Sequence, residues 1–365
     1  MSQIRVLISG GGTGGHIFPA ISIANAVKEL LPDAQILFVG AQGKMEMEKV
    51  PAAGYEIVGL PVAGFHRKLT LRNLSFPFKL IKSLMKARKV IKDFKPHVAV
   101  GVGGYASGPV LRVASKAGIP CLLQEQNSFP GVTNRILARK AAKICVAYDK
   151  MDRFFPKDKI LLTGNPVRDN LLNKVNREEA AEFFGLDASK KCILVIGGSL
   201  GARSVNNGII NSIDDLPEDC QMIWQAGRFY IEEMRAKLPE AFKERVVVTD
   251  FISRMDLAFA MGDVVISRAG ASSISELALL AIPSVFVPSP NVSEDHQTKN
   301  AMALVDKEAA VLVKDVDVNV VVKTAVDLVN DDSLLNKLSA NIKLMAKPNA
   351  AKDIAEEVIK LAKSK

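Results

Sequence analysis

Ile4-Arg5-Val6-Leu7-Ile8-Ser9-Gly10-Gly11-Gly12-Thr13-Gly14-Gly15-His16 is the stretch that decides the fold. The apolar run Ile4–Ile8 reads as a buried strand, and Ile17 to Leu31 reads as the helix that follows it. Between them, glycines leave backbone N–H groups with almost no side chains in the way. A helix start carries roughly half a positive charge, so anionic groups are welcome there. His16 adds a titratable side chain where a phosphate is the usual guest.

The pattern recurs in the second half. Lys191 to Ile196 is an apolar run, Gly197-Gly198-Ser199-Leu200-Gly201-Ala202 is its turn, and a helix runs on to about Ile213. Further strand-like runs are Ile36–Val39, Val98–Val102, Cys121–Leu123, Ile160–Leu162, Met222–Trp224, Val246–Val248, Val264–Ser267, Ser284–Val287 and Ala310–Val313. Strands alternating with helical stretches predict an α/β fold of two doubly wound parallel-sheet domains, each with its functional edge at the strand carboxyl ends. The boundary is expected at Gly164-Asn165-Pro166-Val167-Arg168, giving domains 1–165 and 166–345. A final segment, 346–365, carries a helix with Ile354, Val358 and Leu361 on one face, expected to pack across a domain surface.

Bulk properties fit this plan. A chain of 365 residues exceeds one ordinary core, and 48% hydrophobic with 24% charged residues is ordinary for a globular protein. Cys121, Cys145, Cys192 and Cys220 are scattered without a CxxC pair and read as buried thiols of a reducing compartment. The chain starts MSQIRVLISG, with no signal-peptide pattern, and no apolar run reaches the ~18–20 residues of a membrane span. A net charge of +9 points to an anionic partner, while the sparse aromatics and the lack of any RNA- or DNA-binding signature argue against nucleic acid.

Gly10, Gly12 and Gly15 satisfy GxGxxG in the right strand-to-helix context. A dinucleotide site also needs an acid at the end of the second strand to hold ribose hydroxyls. That strand ends in Gly40-Ala41-Gln42, without a carboxylate, which counts against a nicotinamide cofactor. Another glycine loop, Gly101 to Pro109, follows Val98–Val100, and with the first it outlines a backbone-lined pocket for a diphosphate or a sugar. In the second half, Gly270 and the serines of Ser267–Glu276 open a helix able to hold an anion. Glu276, about one turn in, either reaches ribose hydroxyls or only complements the helix dipole.

The motifs GGTGGH (Gly11–His16), GGYASGP (Gly103–Pro109), QEQN (Gln124–Asn127), GNPVR (Gly164–Arg168), GGSLGA (Gly197–Ala202), SRAGASSISE (Ser267–Glu276) and DHQTKNA (Asp295–Ala301) occur in one order along the chain. In that order the sequence resembles the MurG family, the bacterial peptidoglycan N-acetylglucosaminyltransferases. The resemblance implies a two-domain GT-B glycosyltransferase whose domains face a cleft, peripheral to the cytoplasmic face of the bacterial cell membrane. It implies inverting, metal-independent transfer of GlcNAc from UDP-GlcNAc to the C4 hydroxyl of MurNAc in lipid I (undecaprenyl-diphospho-MurNAc-pentapeptide), forming lipid II. Donor contacts then fall on Thr13, Gly14, Gly15, Asn127, Arg168, Ser199, Ile252, Arg268, Ala271, Ser272, Ser273, Ile274, Ser275, Glu276 and Gln297. Acceptor contacts fall on Gly103, Gly104, Tyr105 and Ser107. Some relatives carry a double Gln where this chain has His296-Gln297, which leaves open which side chain meets the sugar.

The chemistry can also be read from the residues. Displacing a nucleoside diphosphate from a sugar needs charge stabilisation on the leaving group, a base and orientation. The single Asp-x-Asp string that a metal would use is Asp315-Val316-Asp317, and its position reads as a helix cap. The charge then falls to the helix starts near Ser199–Ala202 and Gly270–Ser273, with Arg168 either adding a bidentate fork or serving as a hinge residue. An imidazole titrating near ~6.5 suits proton acceptance, so His16 is the candidate base and Glu125 the alternative. The other reading of His16 is a capping or acceptor-binding side chain. His97, after Pro96, reads as a strand-edge residue.

From Arg67 to Lys95 there are ten Lys or Arg and a single acid, Asp93. Leu80, Leu84, Ala87, Ile91 and Phe94 recur at helical spacing, off the line of Lys79, Lys82, Lys86 and Lys89. Adding Phe65, Leu69, Leu71, Leu74, Phe76 and Phe78 gives apolar side chains among cations, which suits an anionic membrane surface. The competing functions are a related transferase with another sugar or lipid acceptor, a nicotinamide oxidoreductase, and a non-catalytic nucleotide-sugar-binding module. The last has no need of His16.

Overall fold

The computed structural model describes residues 3–62, 76–167, 171, 175–198, 200–292 and 295–364. It divides into one unit of residues 1–168 with 347–365, and a second of residues 169–346. The first holds a seven-stranded sheet: β1 (Arg5–Ser9), β2 (Gln35–Ala41), β3 (Glu56–Leu60), β4 (Val98–Gly101), β5 (Cys121–Glu125), β6 (Lys143–Val146) and β7 (Ile160–Leu162). Their order is β3-β2-β1-β4-β5-β6-β7, every pairing parallel. The second holds β8 (Lys191–Ile196), β9 (Cys220–Gln225), β10 (Val246–Thr249), β11 (Val264–Ser267), β12 (Ser284–Phe286) and β13 (Val311–Leu312), ordered β10-β9-β8-β11-β12-β13 and again all parallel.

Parallel strands covered on both faces are mostly apolar, and β1, β4 and β5 are almost wholly buried, with Gln124 and Glu125 at the carboxyl end of β5 as buried polar exceptions. Each sheet reverses its strand order once, at β1/β4 and at β8/β11. Ser9 pairs with Gly101 at the first reversal, and Ile196 with Ser267 at the second. Loops leaving neighbouring strands at such a reversal diverge to opposite faces and leave a crevice. The turns singled out by sequence therefore lie side by side within each unit.

The strands β3 and β6 were not among the expected runs. Glu56-Ile57-Val58-Gly59-Leu60 is an edge strand with a glycine inside it, and Lys143–Val146 has only four residues, so neither stands out as an apolar block. The first helix begins earlier than read, at Gly14, and runs to Leu30. The C-terminal helix, Ala350–Lys363, buries Ile354, Ala355, Val358 and Ala362 in the core of the first unit, against the helix Gly14–Leu30. Where the chain returns to that unit, a side chain at Gly164 (φ +89°) would collide with Lys347, so glycine is required there.

All four thiols are buried and unpaired. Burial pushes Cys121 and Cys145 up to about 12, pushes Cys220 up to about 11 and raises Cys192 as well. At the opposite end of the second sheet, Arg177 and Asp263 join three segments. Arg177 donates to Asp263 (2.9 Å) and to the carbonyls of Ala188, Lys190 and Met261, while the Cys192 amide donates to Asp263 (2.8 Å). Replacing Asp263 by Ala orphans the Cys192 amide and removes the counter-charge of Arg177, which keeps its three carbonyls, and is expected to cost about 2 kcal/mol. The check is the thermal midpoint, which should fall by about 4–8 °C in calorimetry.

Candidate functional site

At the first reversal, Thr13 occupies the N-cap of the helix Gly14–Leu30 in extended conformation but makes no side-chain cap. Its hydroxyl lies 3.2 Å from His16 Nδ1 instead. When Nδ1 donates to that oxygen, the basic lone pair is on Nε2, the arrangement a proton acceptor needs. The glycine loop after β4 closes on the same ring: a Cβ on Gly103 (φ +97°) would stand 2.7 Å from both Cδ2 and Nε2 of His16. Gly104 (φ +81°) passes over the backbone of Gly11 so closely that any side chain would overlap it.

Among the residues expected to meet an acceptor, Tyr105 is 53% exposed, whereas Ser107 is fully buried. The Ser107 hydroxyl lies 2.7 Å from the Ser9 carbonyl and 2.8 Å from that of Gly103, so it ties the second glycine loop to the end of β1. Its side chain serves the loop.

Glu125, the alternative base, is also turned inward. It is 2% exposed and accepts from the amides of Asn127 (3.0 Å) and Gly131 (3.2 Å) and from the side chains of Asn127 (3.2 Å) and Asn134 (2.9 Å). Burial pushes its pKa up, against those four donors. A carboxylate so engaged shapes the turn that carries Asn127. Beside it, Gln124 donates to Asn165 (2.9 Å), Asn165 to the Gln126 carbonyl (3.1 Å), and Gln126 to both the Val102 carbonyl (2.8 Å) and the Gln124 side chain. QEQN, GNPVR and the glycine loop after β4 thus form one buried network.

A residue missed by sequence lies beneath the first turn. Glu46, 1% exposed, starts the helix Glu46–Ala52 after β2. Its carboxylate accepts from the amides of Gly12 (2.9 Å) and Ala41 (2.9 Å). The dinucleotide template looks for an acid at the strand end itself, and this one arrives five residues after Ala41 to hold the protein's own loop. An amide bound to Glu46 is not available to a cofactor phosphate, which counts further against a nicotinamide cofactor at this turn.

In the second unit, the turn Gly197–Ala202 packs against Gly227, whose own Cβ would overlap Gly201. The helix Arg203–Asn211 then starts at Ala202 without a side-chain cap. The helix Ala271–Leu280 starts at Gly270, also uncapped, and Ser272 in its first turn has a buried hydroxyl with no partner among the described residues. Both helix starts lie at the β8/β11 reversal and suit an anion. Ala271 and Ile274 are buried, Ser273 is half-buried, and Ser275 donates to the Ala271 carbonyl (3.0 Å). Glu276 is 7% exposed, in the second turn. Ile252 has a buried core side chain, and Gln297 accepts from the Ser289 amide (2.8 Å).

Arg268 is engaged within its own unit. It donates to Asp315 (2.5 Å), Ser204 (2.7 Å) and the Val287 carbonyl (2.9 Å), and Ser204 also donates to Asp315 (2.6 Å). Asp315 therefore neutralises an arginine instead of capping a helix, with its Oδ1 accepting from both Arg268 and Ser204. Arg168 and Ser199 lie outside the described residues. No His, Cys, Asp and Glu cluster able to hold a metal occurs among the described residues.

The comparisons with known proteins agree on one family. The family model "Glycosyltransferase family 28 N-terminal domain" matches residues 6–146, and its C-terminal counterpart matches 192–358. A protein of Phocaeicola vulgatus, named UDP-N-acetylglucosamine–N-acetylmuramyl-(pentapeptide) pyrophosphoryl-undecaprenol N-acetylglucosamine transferase, is 60% identical over 99% of this chain and 97% of its own. A protein of the same name from Parabacteroides distasonis is 56% identical over all of both chains. The crystal structure of Acinetobacter baumannii MurG superposes with a TM-score of 0.79 at 28% identity, covering 98% of this chain and 99% of that one. A UDP-GlcNAc 2-epimerase from Neisseria meningitidis, at 13% identity and a TM-score of 0.69 (98% of this chain, 100% of that one), shares the fold alone.

The seat of His16 leads to a direct test. Gly103→Ala places a methyl group against the imidazole at a backbone angle that disfavours any side chain. Turnover should fall by about tenfold or more while donor affinity, measured by calorimetry, stays within about twofold.

Proposed function

We propose that this chain, which belongs to glycosyltransferase family 28 and has its GT-B fold, transfers GlcNAc from UDP-GlcNAc to lipid I to make lipid II. The observation that carries the assignment is the full-length identity to relatives named for that reaction. Our reading of the chemistry follows from the two crevices.

The C4 hydroxyl of the MurNAc unit attacks the anomeric carbon of GlcNAc. As the new C–O bond forms, His16 Nε2 takes the hydroxyl proton, and the bond to the diphosphate breaks with its electron pair leaving on UDP. Attack opposite the leaving group inverts the anomeric centre. The two uncapped helix starts, at Ala202 and Gly270, meet the charge that develops on the diphosphate, and Arg168 and Ser199 belong to the same donor set. A helix terminus contributes only about 0.3–2 kcal/mol toward an anion, so several donors must act together. This distribution of charge asks for no metal. Tyr105 and the backbone of Gly103 and Gly104 border the acceptor, Asn127 and Thr13 to Gly15 the sugar, and Ile252, Glu276 and Gln297 the nucleotide sugar. The side chains of Ser107, Arg268 and Glu125 shape the loops instead.

The same reading places the enzyme on the cytoplasmic face of the cell membrane. The helix Phe76–Phe94 buries Ala87 and Ile91 in the core. Its outer face exposes Phe78 (70%), Ile81 (56%) and Met85 (64%) among Lys79, Lys82 and Lys89. Of these apolar residues the sequence pattern had singled out Phe78 alone, and Phe65, Leu69, Leu71 and Leu74 lie outside the described residues. Three exposed apolar side chains one helical turn apart, ringed by lysines, fit an anionic bilayer surface. No helix among the described residues is long and apolar enough to cross a membrane.

Two measurements test this reading. UDP should appear from UDP-GlcNAc only when lipid I is added, at a rate unchanged by chelator, and His16→Ala should lower that rate about 10²–10⁴-fold with donor affinity retained. Turnover near normal would remove the base from His16. In vesicle sedimentation, the triple change of Phe78, Ile81 and Met85 to Ser should weaken binding to phosphatidylglycerol vesicles by about tenfold or more. Binding indifferent to anionic lipid content would overturn the electrostatic docking.

A further inference from the structure

We propose that Glu46 is a positioning residue for the reaction, holding the first glycine turn in the one shape that sets His16 against the acceptor. Three observations carry this. The carboxylate is 1% exposed and spends one oxygen on each of two backbone amides, Oε1 on Ala41 and Oε2 on Gly12, both at 2.9 Å. Those amides belong to different segments, one to the last residue of β2 and the other to the turn after β1, so the side chain staples neighbouring strand ends together. The surroundings are cut to fit it: a side chain at Gly11 (φ +142°) or Gly40 would overlap the Glu46 side chain. Two glycines of the motif region thus make room for a carboxylate of the protein.

The consequence for function is geometric. Gly12 is followed directly by Thr13, whose hydroxyl meets His16 Nδ1 and whose carbonyl accepts from the His16 amide at 3.1 Å. Turning the Gly12 amide inward fixes the chain entering Thr13, and through Thr13 the ring. In glycine turns that cradle phosphate, the same class of amide faces the ligand. Here an internal acid occupies that amide, which converts a phosphate cradle into a mount for an imidazole. Glu46 itself touches no reacting atom.

This proposal rests on His16 as the base, and the experiment separates the two. The variants are Glu46→Gln, Glu46→Asp, His16→Ala and the double variant Glu46→Gln/His16→Ala, made in the full chain. Transfer from UDP-GlcNAc to lipid I gives kcat, KM and their pH dependence, calorimetry gives UDP-GlcNAc affinity, and thermal melting checks the fold. Gln keeps one acceptor oxygen and loses the other, so a folded Glu46→Gln protein should lose about 10–100-fold in kcat with donor affinity within about twofold. The limb of the pH–rate profile that reports the base should shift with it. Asp, with both oxygens on a shorter stem, should recover part of the loss. In the His16→Ala background, Glu46→Gln should cost little more, because both changes remove one function. An undiminished penalty in that background overturns the proposal while leaving His16 as base. So does a Glu46→Gln protein with normal kcat, or one whose loss appears only as a lower melting point. Normal turnover in His16→Ala alone defeats the reading beneath it, and that result comes from a variant that leaves Glu46 untouched.

Discussion

The first unit depends on a contact into which no side chain fits. Gly104 crosses Gly11 backbone to backbone, and Gly103 presses against the edge of His16 that carries Nε2. Both glycines adopt positive φ, where a β-carbon is disfavoured even without neighbours. Ser107 fastens this crossing from below, between the carbonyls of Ser9 and Gly103. The histidine therefore stands between a threonine hydroxyl and a bare main chain. Its ring is held in one place, and backbone lines most of its seat.

The two units share a strand order and use it differently. The crevice of the first is furnished with buried acids, Glu46 and Glu125, each accepting from backbone amides and shaping a loop. The crevice of the second offers helix starts that lack side-chain caps, at Ala202 and Gly270. The first crevice thus spends its acids on its own loops, and the second leaves its helix starts without a side-chain cap.

Most of this architecture was legible in the amino-acid order because a doubly wound sheet is a local code. The strands Lys191–Ile196 and Val264–Ser267 coincide with the apolar runs read for them, since central parallel strands are mostly apolar. Edge strands need not be, and β3 was missed for that reason. Partnerships across the chain were illegible. Nothing near Arg268 announces that Asp315, far along the sequence, will neutralise it, nor that Ser204 will bridge the pair. Likewise, QEQN and GNPVR look like ligand sets as strings, yet Gln124, Gln126 and Asn165 spend their amides on one another and on the main chain. Which motif side chains hold the protein's own loops is told only by the folded contacts.

The return of the last helix to the first unit has a consequence for biosynthesis. Ile354, Ala355, Val358 and Ala362 complete the core that begins with Val6 and Ile8. During synthesis the apolar flank of the amino-terminal half therefore stays uncovered until the helix Ala350–Lys363 has been made, after every strand of the second unit. The half made first is finished last.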